Sequence, residues 1–160
     1  MLVLVRVDER LLHGQVALSW KSALSYEALL IANDEVAKDD LRKSALKLAT
    51  PVDVRLAIRS IKEAAELTSH EKLVGMKTFV ILNSPRDAKI FYENIKERPK
   101  LNLGNMGKKE GKKMCAKSLY LGEEDFKSLE ELFAMGIDIS AQEVPNSTAI
   151  SYQELKKNFT

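Results

Sequence analysis

Short apolar runs alternate along this chain with longer stretches whose apolar residues recur every three or four positions. The runs Leu2–Val7, Ala28–Ala32 and Thr78–Leu82 are short, nearly continuous and rich in branched residues, and they read as buried strands. Val52, Val54, Leu56 and Ile58 fall on every second position, which predicts a strand with one better-buried face. Leu101–Leu103, 118–121 and 137–144 add three shorter strands. Helical spacing occupies the intervals. Gly14–Leu24 is one helix, and 39–48 is a second with Leu41, Ala45 and Leu48 on one face. Ser60 with Glu63 forms a capping box that opens a third. Ser84 followed by Pro85 starts a fourth, continued by Ala88, Phe91 and Ile95. Phe126, Leu129 and Phe133 stripe a fifth, closed by Gly136, and Tyr152–Phe159 predicts a short terminal helix. The stretch 68–75 reads as a loop.

Strands alternating with helices predict an α/β domain with a mainly parallel sheet. No linker, repeat or low-complexity segment divides residues 1–160, so one domain is expected. Functional sites in such sheets lie at the carboxyl ends of the strands. That directs attention to the loops 8–14, 33–38, 83–85 and 104–111.

Composition narrows the class. Hydrophobic residues make up 45% and charged residues 30%, as in a soluble globular protein. A net charge of +2 is too small to argue for nucleic acid or an anionic surface by itself. The single cysteine, Cys115, forms no internal disulfide and fits a reducing compartment. The apolar N-terminal run meets Arg6 after five residues, too short for a signal-peptide core or a membrane span. A cytoplasmic protein is therefore expected, one that reaches a membrane through partners. Two histidines and one cysteine far apart have no metal-site spacing, and Leu103-Gly104-Asn105-Met106-Gly107 lacks the dinucleotide fingerprint. No metal or cofactor is expected.

The loop Asp8-Glu9-Arg10-Leu11-Leu12-His13-Gly14-Gln15 carries the chemistry. His13 falls between a strand end and a helix start, and neutral imidazole is a nucleophile near pH 7. A phosphoryl group on it would need positive charge nearby. Arg10 supplies a planar fork of donors, and the first amides of the Gly14 helix supply more. Asp8 is placed to accept from the other ring nitrogen, and Gly14 lets a phosphate approach the backbone. Position alone favours a plain structural histidine, and Arg10 and Asp8 beside it bring the two readings level.

The contiguous segment Arg6-Val7-Asp8-Glu9-Arg10-Leu11-Leu12-His13-Gly14-Gln15-Val16, with Trp20 beyond, resembles the signature of the enzyme IIB components of the mannose/fructose/sorbose family of the bacterial sugar phosphotransferase system. Asn33-Asp34-Glu35-Val36-Ala37 with Arg42-Lys43, Ala49-Thr50-Pro51, Asn83-Ser84-Pro85-Arg86-Asp87 and Leu103-Gly104-Asn105-Met106 with Gly111-Lys112 resemble further segments of that family. The resemblance implies an open, mostly parallel, doubly wound (Rossmann-like) sheet with helices on both faces. It implies phosphate received from a IIA phosphohistidine onto His13 and delivered to a sugar held by membrane IIC and IID partners. Arg10 would offset the phosphate charge and Asp8 would orient the ring. Gly14, Gln15, Asn33, Asp34, Ser84, Gly104 and Asn105 would form the rim. Asn105 stands where the family pairs glycines, and asparagine tolerates left-handed backbone.

The alternative is a non-catalytic regulatory module in which phosphorylation of His13 is only a switch. The lysines of 98–117 read as solvated surface, and no aromatic residues interleave them as in a single-strand binder. Nucleic acid is therefore not an expected partner. His70 reads as an exposed loop residue and Trp20 as core or rim packing. The identity of the sugar and self-association stay open at this stage.

Overall fold

The computed structural model describes residues 1–160. Nine strands and seven helices follow one another as β1 (Leu2–Val7), α1 (Gly14–Leu24), β2 (Ala28–Ala32), α2 (Asp40–Ala49), β3 (Arg55–Arg59), α3 (Ile61–Leu67), α4 (Glu71–Val74), β4 (Thr78–Leu82), α5 (Pro85–Glu93), β5 (Leu101–Leu103), β6 (Lys113–Ala116), β7 (Leu119–Leu121), α6 (Glu123–Ala134), β8 (Ile139–Ala141), β9 (Ile150–Ser151) and α7 (Tyr152–Phe159). Seven strands form one sheet in the order β3-β2-β4-β1-β5-β8-β9, and β6 and β7 pair separately. Every pair in the large sheet is parallel except the edge pair β8–β9.

Two apolar clusters sandwich the sheet. The smaller holds Val16, Ala17 and Trp20 of α1 and Leu46 of α2. The larger holds residues of α3, α5, α6 and α7. The helices therefore cover both faces, as a doubly wound sheet requires. The chain leaving β1 turns to one face and the chain leaving its neighbour β4 turns to the other, which opens a crevice at their carboxyl ends. The local signals behave as their chemistry dictates. Ser84 Oγ accepts from the Asp87 amide at 3.1 Å to start α5, with Pro85 at the first helical position. Gly136, at φ 87°, closes α6.

Several expectations are corrected. The strand expected over 52–58 forms only over Arg55–Arg59, because Pro51 starts a turn in which the Val54 amide bonds the Pro51 carbonyl at 3.1 Å. The strand expected over 137–144 shortens to Ile139–Ala141, since the next residues turn away to receive a buried arginine. Residues 118–121 belong to a hairpin whose other strand, Lys113–Ala116, is masked in the sequence by lysines. The 68–75 stretch contains the short helix α4. Helix α2 forms, but it seats Leu46 inward and leaves Leu41 and Leu48 exposed. Phe133, read as part of an apolar stripe, is partly exposed and stacks on Tyr152 at 4.4 Å between ring centroids.

Candidate phosphoryl-acceptor site

The site begins with an arginine inside a strand. Arg6 lies on β1 and is wholly buried. Its guanidinium donates to Asn102 Oδ1 on the paired strand β5 at 2.5 Å, and to the Gln142 and Glu143 carbonyls at 3.1 Å each. It also donates to Asp8 Oδ2 at 3.2 Å. Its Cζ sits 5.5 Å from the centroid of the Trp20 ring. Such a cation persists in the interior only because carbonyls, a carboxylate and an aromatic face replace its water. Nε of Arg6 alone lacks a partner. Burial lowers the affinity of the guanidinium for its proton, Asp8 raises it, and the charge of Arg10 lowers it further.

Asp8, also wholly buried, is the hinge of the arrangement. Its Oδ2 takes Arg6, and its Oδ1 accepts from the Arg10 amide at 3.0 Å and from Arg10 Nε at 3.4 Å. Both oxygens are thus committed to arginines, and no hydrogen bond joins Asp8 to His13. Asp8 therefore orients Arg10 rather than the imidazole ring. Arg10 is half exposed, and its two terminal nitrogens make no hydrogen bond within the protein.

His13 occupies the N-cap position of α1 with extended backbone and makes no capping bond. Its Nε2 is buried without a partner, and Nδ1, likewise unbonded, reaches solvent. The first turn of α1 holds no acidic residue, so its free amides face the ring unopposed. Burial is the largest influence on His13 and lowers its pKa from 6.5. The positive charges of Arg10 and Arg6 add to that, against the Asp8 carboxylate. Gly14 has no atom within 4 Å of where a β-carbon would stand, so the approach to these amides is open. Gln15 is exposed on the same first turn.

The loop is held from below. The turn from Asp8 passes through Leu11, buried and at φ 61°, a conformation strained for leucine. The Glu9 amide donates to the Asn105 carbonyl at 2.8 Å, and Glu9 Oε2 accepts from the Gly107 amide at 2.7 Å. Lys109 pairs with Glu9 Oε1 at 2.6 Å. These contacts bring Gly104 and Asn105 to the site, but as supports. A β-carbon on Gly104 would stand 2.3 Å from Arg6 Cζ, so this glycine makes room for the guanidinium. Asn105 keeps negative φ, and the loop needs no left-handed backbone there.

Asn33 and Asp34 line a cleft of about 280 Å³ with Glu35, Asn83, Arg86 and Asp87, and Ser84 caps α5 beside it. Asn33 Oδ1 accepts from the Val36 amide and Asp34 Oδ1 from the Ile61 amide, both at 2.9 Å. No hydrogen bond joins them or Ser84 to Asp8, Arg10 or His13. Burial and the neighbouring Asp34 raise the Asp87 pKa. The residues missed by the sequence reading are Arg6 as a structural cation, Asn102 and Glu9. An arginine in an otherwise apolar strand was the available signal.

The family model described as PTS system sorbose subfamily IIB component matches residues 2–159. A probable phosphotransferase enzyme IIB component of Streptococcus pyogenes serotype M6 is 32% identical over 97% of this chain and 99% of its own length. The PTS system sorbose-specific EIIB component of Lacticaseibacillus casei is 32% identical over 89% of this chain and 87% of its own. The crystal structure of the IIBSor domain of the sorbose permease from Klebsiella pneumoniae superposes with a TM-score of 0.93 at 24% identity, covering 100% of this chain and 98% of that one.

Proposed function

The chain belongs to the sorbose-subfamily enzyme IIB components of the sugar phosphotransferase system, and from that premise we propose that His13 Nδ1 is the atom that carries the phosphoryl group. A IIB component relays phosphate from IIA to a sugar through IIC and IID, which is the activity this fold performs. The single observation that supports His13 is its setting: an imidazole kept neutral, with a solvent-reached, unbonded Nδ1 at an open helix start beside Arg10.

In acceptance, the Nδ1 lone pair forms a bond to phosphorus as the P–N bond on the IIA phosphohistidine breaks. The proton of the neutral His13 ring resides on Nε2. The α1 amides and the unbonded nitrogens of Arg10 stabilise the equatorial oxygens as charge spreads over them. In donation, a sugar hydroxyl oxygen bonds to phosphorus, the P–Nδ1 bond breaks, and the hydroxyl proton passes to a base outside this chain. A dianionic phosphoryl group favours the protonated ring, the better leaving group. Asp8 and Arg6 act by holding Arg10 in place. The partners of this reading are a IIA protein or domain and the membrane IIC and IID components, met from the cytoplasmic side.

Incubation with phosphoenolpyruvate, the general phosphotransfer proteins and a cognate IIA tests the reading. Acid-labile, base-stable phosphate should appear on the wild-type chain and not on His13→Ala. Acceptance by His13→Ala at the wild-type level overturns it.

A further inference from the structure

Helix α2 is mounted with its apolar stripe facing outward. Leu41, Ala45 and Leu48 share one side at helical spacing, while Leu46 on the other side meets the sheet. Leu41 is 82% exposed, Leu48 89%, and Val52 just beyond the helix 105%. The stripe therefore projects, leaving its apolar area ungained by the fold.

Cations flank the stripe. By helical angle Lys47 lies on one side of it and Arg42 on the other, while Lys43 lies round the helix toward the sheet edge. Behind it, a groove of about 780 Å³ runs between α2 and the edge strand β3, floored by Leu48, Val52 and Leu56. An adjoining groove of about 230 Å³ brings Lys43, Lys47 and Arg59 together. No carboxylate lines either groove. None of Arg42, Lys43, Lys47 and Arg59 forms an ion pair. The nearby acids are engaged or at the margin: Asp39 caps α2, Asp53 pairs with Lys21, and Asp40 sits on the first turn.

We propose that this face rests on an anionic phospholipid surface. Leu41, Leu48 and Val52 enter the boundary between headgroups and acyl chains, and Arg42 and Lys47 lie among the phosphates with their stems along the apolar stripe, with Lys43 and Arg59 in the groove behind. Projecting side chains fit a deformable medium better than a rigid groove. Unpaired cations with no interleaved acid match a surface of one negative sign. Cytoplasmic loops of membrane proteins are biased to Lys and Arg, so they would repel this patch. No helix is long and apolar enough to cross a membrane, so the contact is a surface one. Because α1 and α2 cover the same face of the sheet and Lys21 pairs with Asp53, the contact lies beside the C-terminal end of α1 and leaves the His13 end free for partners. The proposal stands independently of which residue carries phosphate.

Cosedimentation of the full chain with vesicles tests it, using phosphatidylcholine alone or with about one-quarter phosphatidylglycerol. Binding is expected to the mixed vesicles and to fall about ten-fold or more on phosphatidylcholine alone. Leu48→Glu/Val52→Glu and Arg42→Glu/Lys47→Glu should each lose about ten-fold in binding to mixed vesicles, while unfolding profiles stay unchanged at these exposed positions. His13→Ala should bind as the wild type does. Absence of wild-type binding overturns the proposal, as does equal binding by either double variant. So does a concentration-dependent oligomer that Leu48→Glu dissolves without any vesicle binding, which would assign the face to a second copy.

Discussion

The guanidinium of Arg6 occupies the space that a side chain on residue 104 would need, with Cζ 2.3 Å from the position of a β-carbon. Gly104 is thus fixed by packing against a neighbouring strand's arginine. Gly104→Ala should destabilise the fold by about 1–3 kcal/mol, the usual cost of overpacking, measured by urea unfolding. Acceptance of phosphate should fall with it, because displacing Arg6 loosens Asp8 and then Arg10. A Gly104→Ala chain of wild-type stability would show that Arg6 has room to move.

Gly14 is the opposite case. No atom stands within 4 Å of its absent β-carbon and its φ is not positive, so Gly14→Ala should leave unfolding within about 0.5 kcal/mol of wild type. If a phosphoryl group docks against the α1 amides, the added methyl should slow acceptance while stability holds. An unchanged rate would place the phosphate away from that backbone.

Arg10→Ala should slow phosphoryl transfer by about 10²-fold or more, the scale set by loss of one charge-stabilising donor. Arg10→Lys should recover part of that, since it keeps the charge and loses the fork. Single-turnover transfer from phosphorylated IIA measures both. Partner affinity should change less than the rate.

The pH dependence follows from the lowered His13 pKa. Acceptance should remain strong below the ordinary histidine value of about 6.5 and weaken only at more acid pH. The unfolded chain protonates first, so the His13 contribution to stability is complete above about 6.5 and diminishes as pH falls through the folded value. Burial remains when a positive neighbour is removed, so the shift should lessen, and the His13 ring signals of Arg10→Ala should titrate at higher pH than wild type. A wild-type value above about 6.5 in an NMR titration would mean that Asp8 dominates the ring.

The elements with one dominant signal were legible in the chain. β2, β4 and α1 carry uniform apolar runs or clear helical spacing, and they form where those patterns lie. α2 was legible as a helix, but its facing was not. Periodicity reports that a helix has two sides, and it does not report which side the tertiary structure takes inward. β6 was hidden because an exposed hairpin strand of lysine, methionine and cysteine has weak alternation. At the site, His13, Arg10 and Asp8 stood together in sequence and could be read as a group. The pairing of Asp8 with two arginines could not, because Arg6 is fixed by groups from β5 and the segment after β8. Likewise Asn33, Asp34 and Ser84 lie at the same sheet edge by topology, where their side chains accept from local amides in turns and a helix cap.

Apart from Asp8, the acceptors of Arg6 lie 96, 136 and 137 residues further along the chain. During synthesis the reactive loop therefore emerges well before these groups that fix it. A chain that lacks the segment after β8 loses two of the four acceptors that hold Arg6 against Asp8. The reactive loop and the chain beyond β8 are thus built as one unit, and the order of Arg10 depends on contacts between distant parts of the sequence.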